Sequence, residues 1–154
     1  MPTVATLCHI IVDGKLLLQK KSKGLFGGEK WNGVGGKIKM NETPEECARR
    51  EVLEETGLSV TSLKSHGILN FYFGDRSRLD WIVHVFSTRT FKGGLRPSEE
   101  GVLRWFALKD IPYEEMWQDD RYWLPLLLGG KSFKGGFYFD EGGKQLLDFD
   151  LKTQ

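Results

Sequence analysis

Glu51, Glu54 and Glu55 sit at spacings that a helix gathers onto one stripe. At ~100° per residue, Glu55 lies about 40° to one side of Glu51 and Glu54 about 60° to the other. Cys47, Ala48 and Leu58 project toward the same side, so the acidic stripe overlaps a partly apolar face. Like charges at these spacings cost a helix roughly 0.2–0.5 kcal/mol per pair in water, and more when desolvated. A divalent cation removes the conflict, since clustered carboxylates suit Mg²⁺ or Mn²⁺ bound through a few oxygens plus substrate phosphate. The preceding Gly35-Gly36 carries no side chains and lets backbone groups approach a metal or phosphate closely. The plainer alternative, a solvated Glu/Arg-rich helix, is the commoner fate of such composition.

The elements that must position these groups are marked locally. Thr43 suits an N-cap, Pro44 the first helical position, and Glu46 completes a capping box; Gly57 suits a left-handed C-cap. A helix is therefore predicted over Pro44–Thr56. Thr3–Val12 and Lys15–Lys21 are apolar-rich runs joined by Asp13-Gly14, a strong hairpin signal. Ser22–Lys30 reads as a Gly- and Lys-rich loop, and Trp31–Val34 as a short strand leading into the glycine pair. Leu63–Phe73, Trp81–Phe91 and Val102–Leu108 read as strands. Asp119 and Asp120 open a second helix, where acidic residues suit the dipole and Pro125 bends or shortens it. Residues 132–150 read as a second hairpin. The whole is predicted to be one α+β domain over residues 1–154, a mixed sheet with a helix on each side.

Composition narrows the function classes. With 154 residues, 40% hydrophobic, the chain is long enough for one buried core. A formal net charge of +1 argues against a nucleic-acid polymer as partner, because polymer binding requires a basic stripe. It leaves a small phosphorylated ligand open, with a metal ion supplying positive charge. No apolar run approaches the ~20 residues of a membrane span, and the N-terminal stretch lacks a basic signal region. Cys8 and Cys47 form no disulfide or zinc pattern, so a reduced, cytoplasmic setting and a monomer are expected. His9, His66 and His84 show no ligand spacing.

The helix and its approach match the pattern Gly-x5-Glu-x7-Arg-Glu-U-x-Glu-Glu-x-Gly-U, with U aliphatic, at Gly36, Glu42, Arg50, Glu51, Val52, Glu54, Glu55, Gly57 and Leu58. An accidental full match is rarer than roughly one in 10⁶ from average residue frequencies. The sequence thus resembles the Nudix hydrolases. The resemblance implies an α/β/α sandwich with a mixed sheet, and Mg²⁺- or Mn²⁺-dependent hydrolysis of a nucleoside diphosphate linked to another group. By position it implies Glu51, Glu54 and Glu55 as metal ligands, or ligand and base, with the Gly36 carbonyl completing the shell. Arg50 would reach Glu54 at i,i+4 and orient a carboxylate, and Glu42 would brace the loop before the helix. Glu100, in the loop that includes Glu99, is the secondary candidate for metal ligand or base.

Segments outside the box, KWNGVGGK, the Trp105-Phe106 pair, MWQDDRYWLPLLL and FKGGFYF, are similar to the MutT-homologue branch, which hydrolyses oxidised purine nucleoside triphosphates such as 8-oxo-dGTP. That likeness implies Asn32, Asp119 and Asp120 as polar readers of the base. Trp117, Phe71 and Phe73 would form walls with Phe26 nearby, and Thr6 and Lys21 would lie close to sugar and phosphates. A purine needs such flat apolar walls with a few polar groups at its edge, although large aromatics more often fill cores and paired aspartates more often cap helices. Val34, Trp81 and Gly101 depart from the branch's usual residues, as does a longer, arginine-bearing loop at Gly74–Arg78, and all are expected to reshape the pocket. Competing readings are an ADP-ribose pyrophosphatase, disfavoured by the lack of proline between Pro44 and Pro97, a dinucleoside polyphosphate hydrolase using Tyr72 as a stacking platform, and a non-catalytic nucleotide binder, disfavoured by the intact box.

Overall fold

Asp13 and Gly14 take left-handed backbone, with φ of 51° and 71°, and turn β1 (Thr3–Val12) back onto β2 (Lys15–Lys21). In the computed structural model, which describes residues 1–22, 28–96, 99 and 101–154, β1 is the strand around which the sheet is built. One edge pairs in parallel with β7 (Trp81–Thr88) from Thr3 to Ile10. The other edge has two partners in succession: Ile10–Val12 pair with β2, while Ala5–Cys8 pair with β4 (Val34–Lys37). The far end of β2 leaves β1 and pairs with β3 (Trp31–Asn32), while the opposite edge of β2 pairs with β9 (Gly101–Ala107) along its whole length, Lys15 to Lys21.

Outward from β7 follow β6 (Lys64–Phe73), β10 (Phe133–Phe139) and β11 (Leu146–Thr153). Among the described residues nine strands form one mixed sheet, ordered β11-β10-β6-β7-β1-β2-β3 with β4 on β1 and β9 on β2; β5 (Ser59–Val60) and β8 (Phe91–Lys92) form a separate ribbon.

The helices cover opposite faces. α1 (Pro44–Thr56) carries the expected capping box: Glu46 N–H donates to Thr43 Oγ1 at 3.1 Å and Thr43 N–H to Glu46 Oε1 at 2.9 Å. Gly57 ends it at φ 85°. Ala48 and Val52 pack on Cys8, Ile10, Leu17 and Val34. α2 (Asp120–Leu128) lays Trp123, Leu124 and Leu127 on Ile11, Val83, Val85 and Phe133. Because side chains alternate along a strand, neighbours on β1 divide between the two cores, and the α/β/α sandwich expected from the sequence is present. No helix among the described residues is long and apolar enough to cross a membrane.

Two strand boundaries, and two residues expected to reshape the pocket, differ from the sequence reading. The run Trp31–Val34 breaks at Gly33, where the chain passes from β2 to β1; a Cβ there would lie 2.6 Å from His9 Nε2. The run Trp81–Phe91 stops at Thr88, whose hydroxyl donates to Ser62 O and Thr90 O and draws the chain out of the sheet. Val34 belongs to the α1-side core and Gly101 pairs with Lys21 in the β2–β9 ladder, so neither is a pocket wall.

Two histidines tie the sheet together as neutral rings. His66 is buried, with Nδ1 2.7 Å from Lys131 O and Nε2 2.6 Å from Ser87 Oγ. A carbonyl only accepts, so Nδ1–H donates to Lys131 and Nε2 accepts from Ser87. His9 is fully buried, edge-on to Trp123 at 5.4 Å between centroids. Burial pushes His9 down to about 4 and lowers His66 as well. Both values lie below those of the unfolded chain, so the unfolded state binds more protons as pH falls below ~6.5. Stability is therefore lost from about pH 6.5 downward, and the His9 part levels off near pH 4. His9 alone carries about 3 kcal/mol of this loss. Urea melts at pH 7 and pH 4.5 are expected to show a smaller acid loss in His9→Leu than in wild type; equal losses would exclude this role.

Candidate functional site

The acid stripe of α1 and a cavity on the opposite face of the sheet meet at Gly35-Gly36. A Cβ on Gly36 would lie 2.5 Å from the Glu51 carboxyl group, and one on Gly35 would overlap Thr6 O. Only glycine lets the Glu51 carboxylate rest against β4 while that strand stays in register on β1. The Gly36 carbonyl also accepts a weak contact from Cys47 Sγ at 3.6 Å.

Arg50 organises the carboxylates. It donates to Glu42 at 2.6 and 2.9 Å, to Glu51 at 2.7 Å and to Glu54 at 3.2 Å. The expected i,i+4 contact with Glu54 is present, and the link to Glu42 is shorter. Glu42 is held well below the usual carboxylate range, at about 2, chiefly by the Arg50 hydrogen bond. Its Oε1 also accepts from Lys39 N–H at 2.9 Å, which braces the loop before α1. Glu55 is buried, while the Glu54 side chain is 53% exposed. Among the described residues no three His, Cys, Asp or Glu side chains converge on one metal-sized point; the guanidinium of Arg50 lies between Glu51 and Glu54 instead. The donor set is nonetheless all oxygen and adjoins a backbone kept bare by glycine, which fits a hard divalent ion.

The cavity, about 220 Å³, gathers the expected pocket residues from six strands and the start of α2. Phe71, Phe73 and Trp117 are its aromatic walls, with Phe73 edge-on to Trp117 at 6.2 Å. Asn32 lines it, and its Oδ1 accepts from Gly33 N–H at 2.8 Å. Thr6 and Lys21 also line it, although the Thr6 hydroxyl lies 3.3 Å from Cys47 Sγ. Phe26 and Glu100 lie outside the described residues. Sequence reasoning did not place Leu7, Val83 or Lys37 here; their signal is strand alternation, which is readable only once the inward face is known. Trp81, noted as a departure, does line the cavity, with Lys37 Nζ 5.9 Å from its ring. Tyr72 does not: it alternates with Phe71 and Phe73 onto the other face and stacks on Tyr138 at 4.6 Å.

Asp119 and Asp120 floor the cavity, both buried. Asp119 does not cap α2; its Oδ2 accepts from Trp123 Nε1 at 2.7 Å, one turn on. Burial pushes Asp119 up to about 6, the Trp123 bond opposing. Burial, then the charge of Asp119, raises Asp120 well above the ordinary range. Burial thus favours retention of a proton by the pair, most strongly at Asp120. With one proton kept there, an ionised Asp119 accepts and a neutral Asp120 can donate, two opposite hydrogen-bonding faces side by side.

Comparisons with known proteins show the family of the chain. The NUDIX domain model matches residues 1–127. The chain is 44% identical over 137 residues to the oxidized purine nucleoside triphosphate hydrolase of Mus musculus, covering 88% of this chain and 86% of that protein. It is 43% identical over 135 residues to the protein of the same name in Danio rerio, covering 87% and 85%. A MutT protein from Bacillus halodurans superposes with a TM-score of 0.87 over 97% of each chain at 24% identity, a likeness of fold. With an intact box, Gly36 pressed on Glu51 and the domain model matched along most of the sequence, the chain belongs to the Nudix hydrolase family.

Proposed function

We propose that this protein hydrolyses oxidised purine nucleoside triphosphates, 8-oxo-dGTP among them, to the nucleoside monophosphate and pyrophosphate. The observation that carries this reading is the buried Asp119–Asp120 pair at the floor of an aromatic cavity bounded by Gly35 and Gly36, a pair that can offer a donor and an acceptor side by side when it keeps one proton. Oxidation alters the hydrogen-bonding edge of a purine, and a paired donor and acceptor can read more than one altered edge. The high identity to relatives named for that activity supports the same reading. The position of Tyr72 on the far face weighs against the dinucleoside polyphosphate alternative.

Nudix hydrolases generally need a divalent metal. Here Glu51, Glu54, Glu55 and the Gly36 carbonyl would hold Mg²⁺ or Mn²⁺, which when bound supplies charge for the phosphate oxygens and acidifies the attacking water. Arg50, anchored on Glu42, would fix the carboxylates while they exchange its hydrogen bonds for metal ones. Lys21 and Lys37 add positive charge on the phosphate side. One domain, a monomeric state, a small nucleotide as the only partner and a reduced, cytoplasmic compartment belong to this proposal; Cys8 and Cys47 are both free thiols.

Glu54→Gln tests the metal role with the least disturbance, since its one ion pair is long and exposed and contributes about 0–1 kcal/mol to stability. Mg²⁺-dependent kcat is expected to fall by roughly 10³-fold, with Tm within about 4 °C of wild type. Near-normal kcat would remove Glu54 from the metal site. In ¹⁸O water, label is expected in the products of one attack within the triphosphate, yielding pyrophosphate; primary release of orthophosphate would exclude the reaction. Asp119→Asn freezes one hydrogen-bonding pattern and keeps the Trp123 contact sterically possible. It is expected to change the ratio of kcat/KM for 8-oxo-dGTP and 2-hydroxy-dATP by about 1–3 kcal/mol and to flatten the pH dependence of that ratio near 6. An unchanged ratio across pH would return both aspartates to a structural role.

A further inference from the structure

Gly143 is a buried glycine in the turn between β10 and β11, held at φ 72°. A Cβ there would lie 2.9 Å from Trp117 Cζ3, 3.3 Å from Trp117 Cη2 and 3.2 Å from Phe73 Cε1. Those rings are two walls of the cavity, and they come from β6 and from the loop before α2, segments far apart in sequence. The turn is held stiffly. Asp140 Oδ1 accepts from Lys144 N–H at 2.8 Å and Gln145 N–H at 3.3 Å, and Asp140 N–H donates to Gln145 O at 3.0 Å. Two further bonds tie it to the walls' own segments. Leu146 N–H donates to the Gln118 side chain at 2.7 Å, beside Trp117, and Gly74 N–H donates to Phe139 O at 2.9 Å, beside Phe73.

We infer that the β10–β11 turn is the outer support of the substrate cavity, and that Gly143 is a positioning residue whose missing side chain sets how far Trp117 and Phe73 stand from the base. The turn cannot yield to an added methyl, because its backbone bonds hold it to both wall segments. The rings are edge-on and bounded behind by Phe139, at 5.8 Å from Trp117 and 5.5 Å from Phe73. Phe139 opposes their retreat, so an added methyl is expected to push them toward the cavity. The chain's two other glycines around this turn do no such work: Gly142 has Lys144 Cγ at 4.0 Å as its nearest neighbour, and Gly74, also left-handed at φ 85°, has Glu141 Cβ at 3.4 Å. The spacing of the walls, and so the fit to a flat purine, is thus decided by a turn that touches no substrate.

This inference rests on the proposed use of the cavity for the base, and the experiment separates the two. Steady-state kinetics with 8-oxo-dGTP and thermal melts are compared for wild type, Gly143→Ala, Gly14→Ala, Trp117→Ala and the Gly143→Ala change in a Trp117→Phe background. Gly143→Ala is expected to raise KM roughly tenfold, the size of an overpacking penalty, with kcat little changed. Gly14→Ala, which bears the same left-handed backbone strain at φ 71° in the β1–β2 turn with nothing within 4 Å of the added methyl, is expected to leave KM unchanged even if Tm falls. In the Trp117→Phe background the Gly143→Ala effect on KM is expected to shrink severalfold, since the smaller ring leaves room for the methyl. A Gly143→Ala protein with lower Tm but wild-type KM would overturn the inference while Trp117→Ala still raised KM. So would a Gly143→Ala effect on KM that is undiminished in the Trp117→Phe background. Trp117→Ala with unchanged KM would overturn the cavity reading itself, and the inference with it.

Discussion

The contact on which the arrangement depends is the approach of the Glu51 carboxylate to the bare backbone of Gly36. β4 must pair with β1 in register, from Ala5 opposite Lys37 to Cys8 opposite Val34, and α1 must pack Ala48 and Val52 on the same stretch of sheet. Any side chain at Gly36 would displace the Glu51 carboxylate from β4. Because the close approach is kept, the acidic stripe of α1 reaches the strand whose glycines also bound the cavity on the other face. Two sites on opposite sides of one sheet become a single site at its edge.

Charge in this region is balanced in two different ways. On α1 the carboxylates share one guanidinium, and Glu42, held far below the ordinary carboxylate range, anchors Arg50 from outside the helix. Glu54, at the exposed end of that network, can exchange partners at modest cost. At the cavity floor Asp119 and Asp120 lie side by side, and burial resolves the conflict by keeping a proton on one of them. The first arrangement suits a mobile ion and the second suits a fixed pattern of donor and acceptor. One chain thus keeps ionised carboxylates where charge is wanted and a neutral one where shape and hydrogen bonding decide.

The cavity's apolar walls are supported in layers. Phe71 stacks on Phe137 at 5.8 Å and Phe73 on Phe139 at 5.5 Å, which links the substrate face to the parallel β6–β10 pairing. The β10–β11 turn then closes around Trp117. His9, Trp123 and Asp119 form a comparable line from the centre of the sheet to the cavity floor, through an edge contact of 5.4 Å and a hydrogen bond of 2.7 Å. Deep packing and the orientation of Asp119 are in this way the same interaction seen at its two ends.

The amino-acid sequence by itself determined α1 to the residue, Pro44–Thr56, because capping box, proline and terminal glycine act within a few positions of one another. It determined the Asp13-Gly14 hairpin and the carboxylate box for the same reason: their physics is local. It did not determine where Trp31–Val34 breaks, that Phe91 pairs with Val60 rather than extending β7, or that Val34 faces α1 while Trp81 faces the cavity. Those outcomes depend on which strand lies alongside and which face is covered. Asp119 reads as a helix cap from its place in the chain, yet burial beside Trp123 and Asp120 turns it into a titrating acceptor. The support of Trp117 by Gly143 joins residues distant along the chain through contacts that no local pattern records. Only the tertiary structure sets burial and long-range contact, and here those two quantities decide protonation and wall spacing.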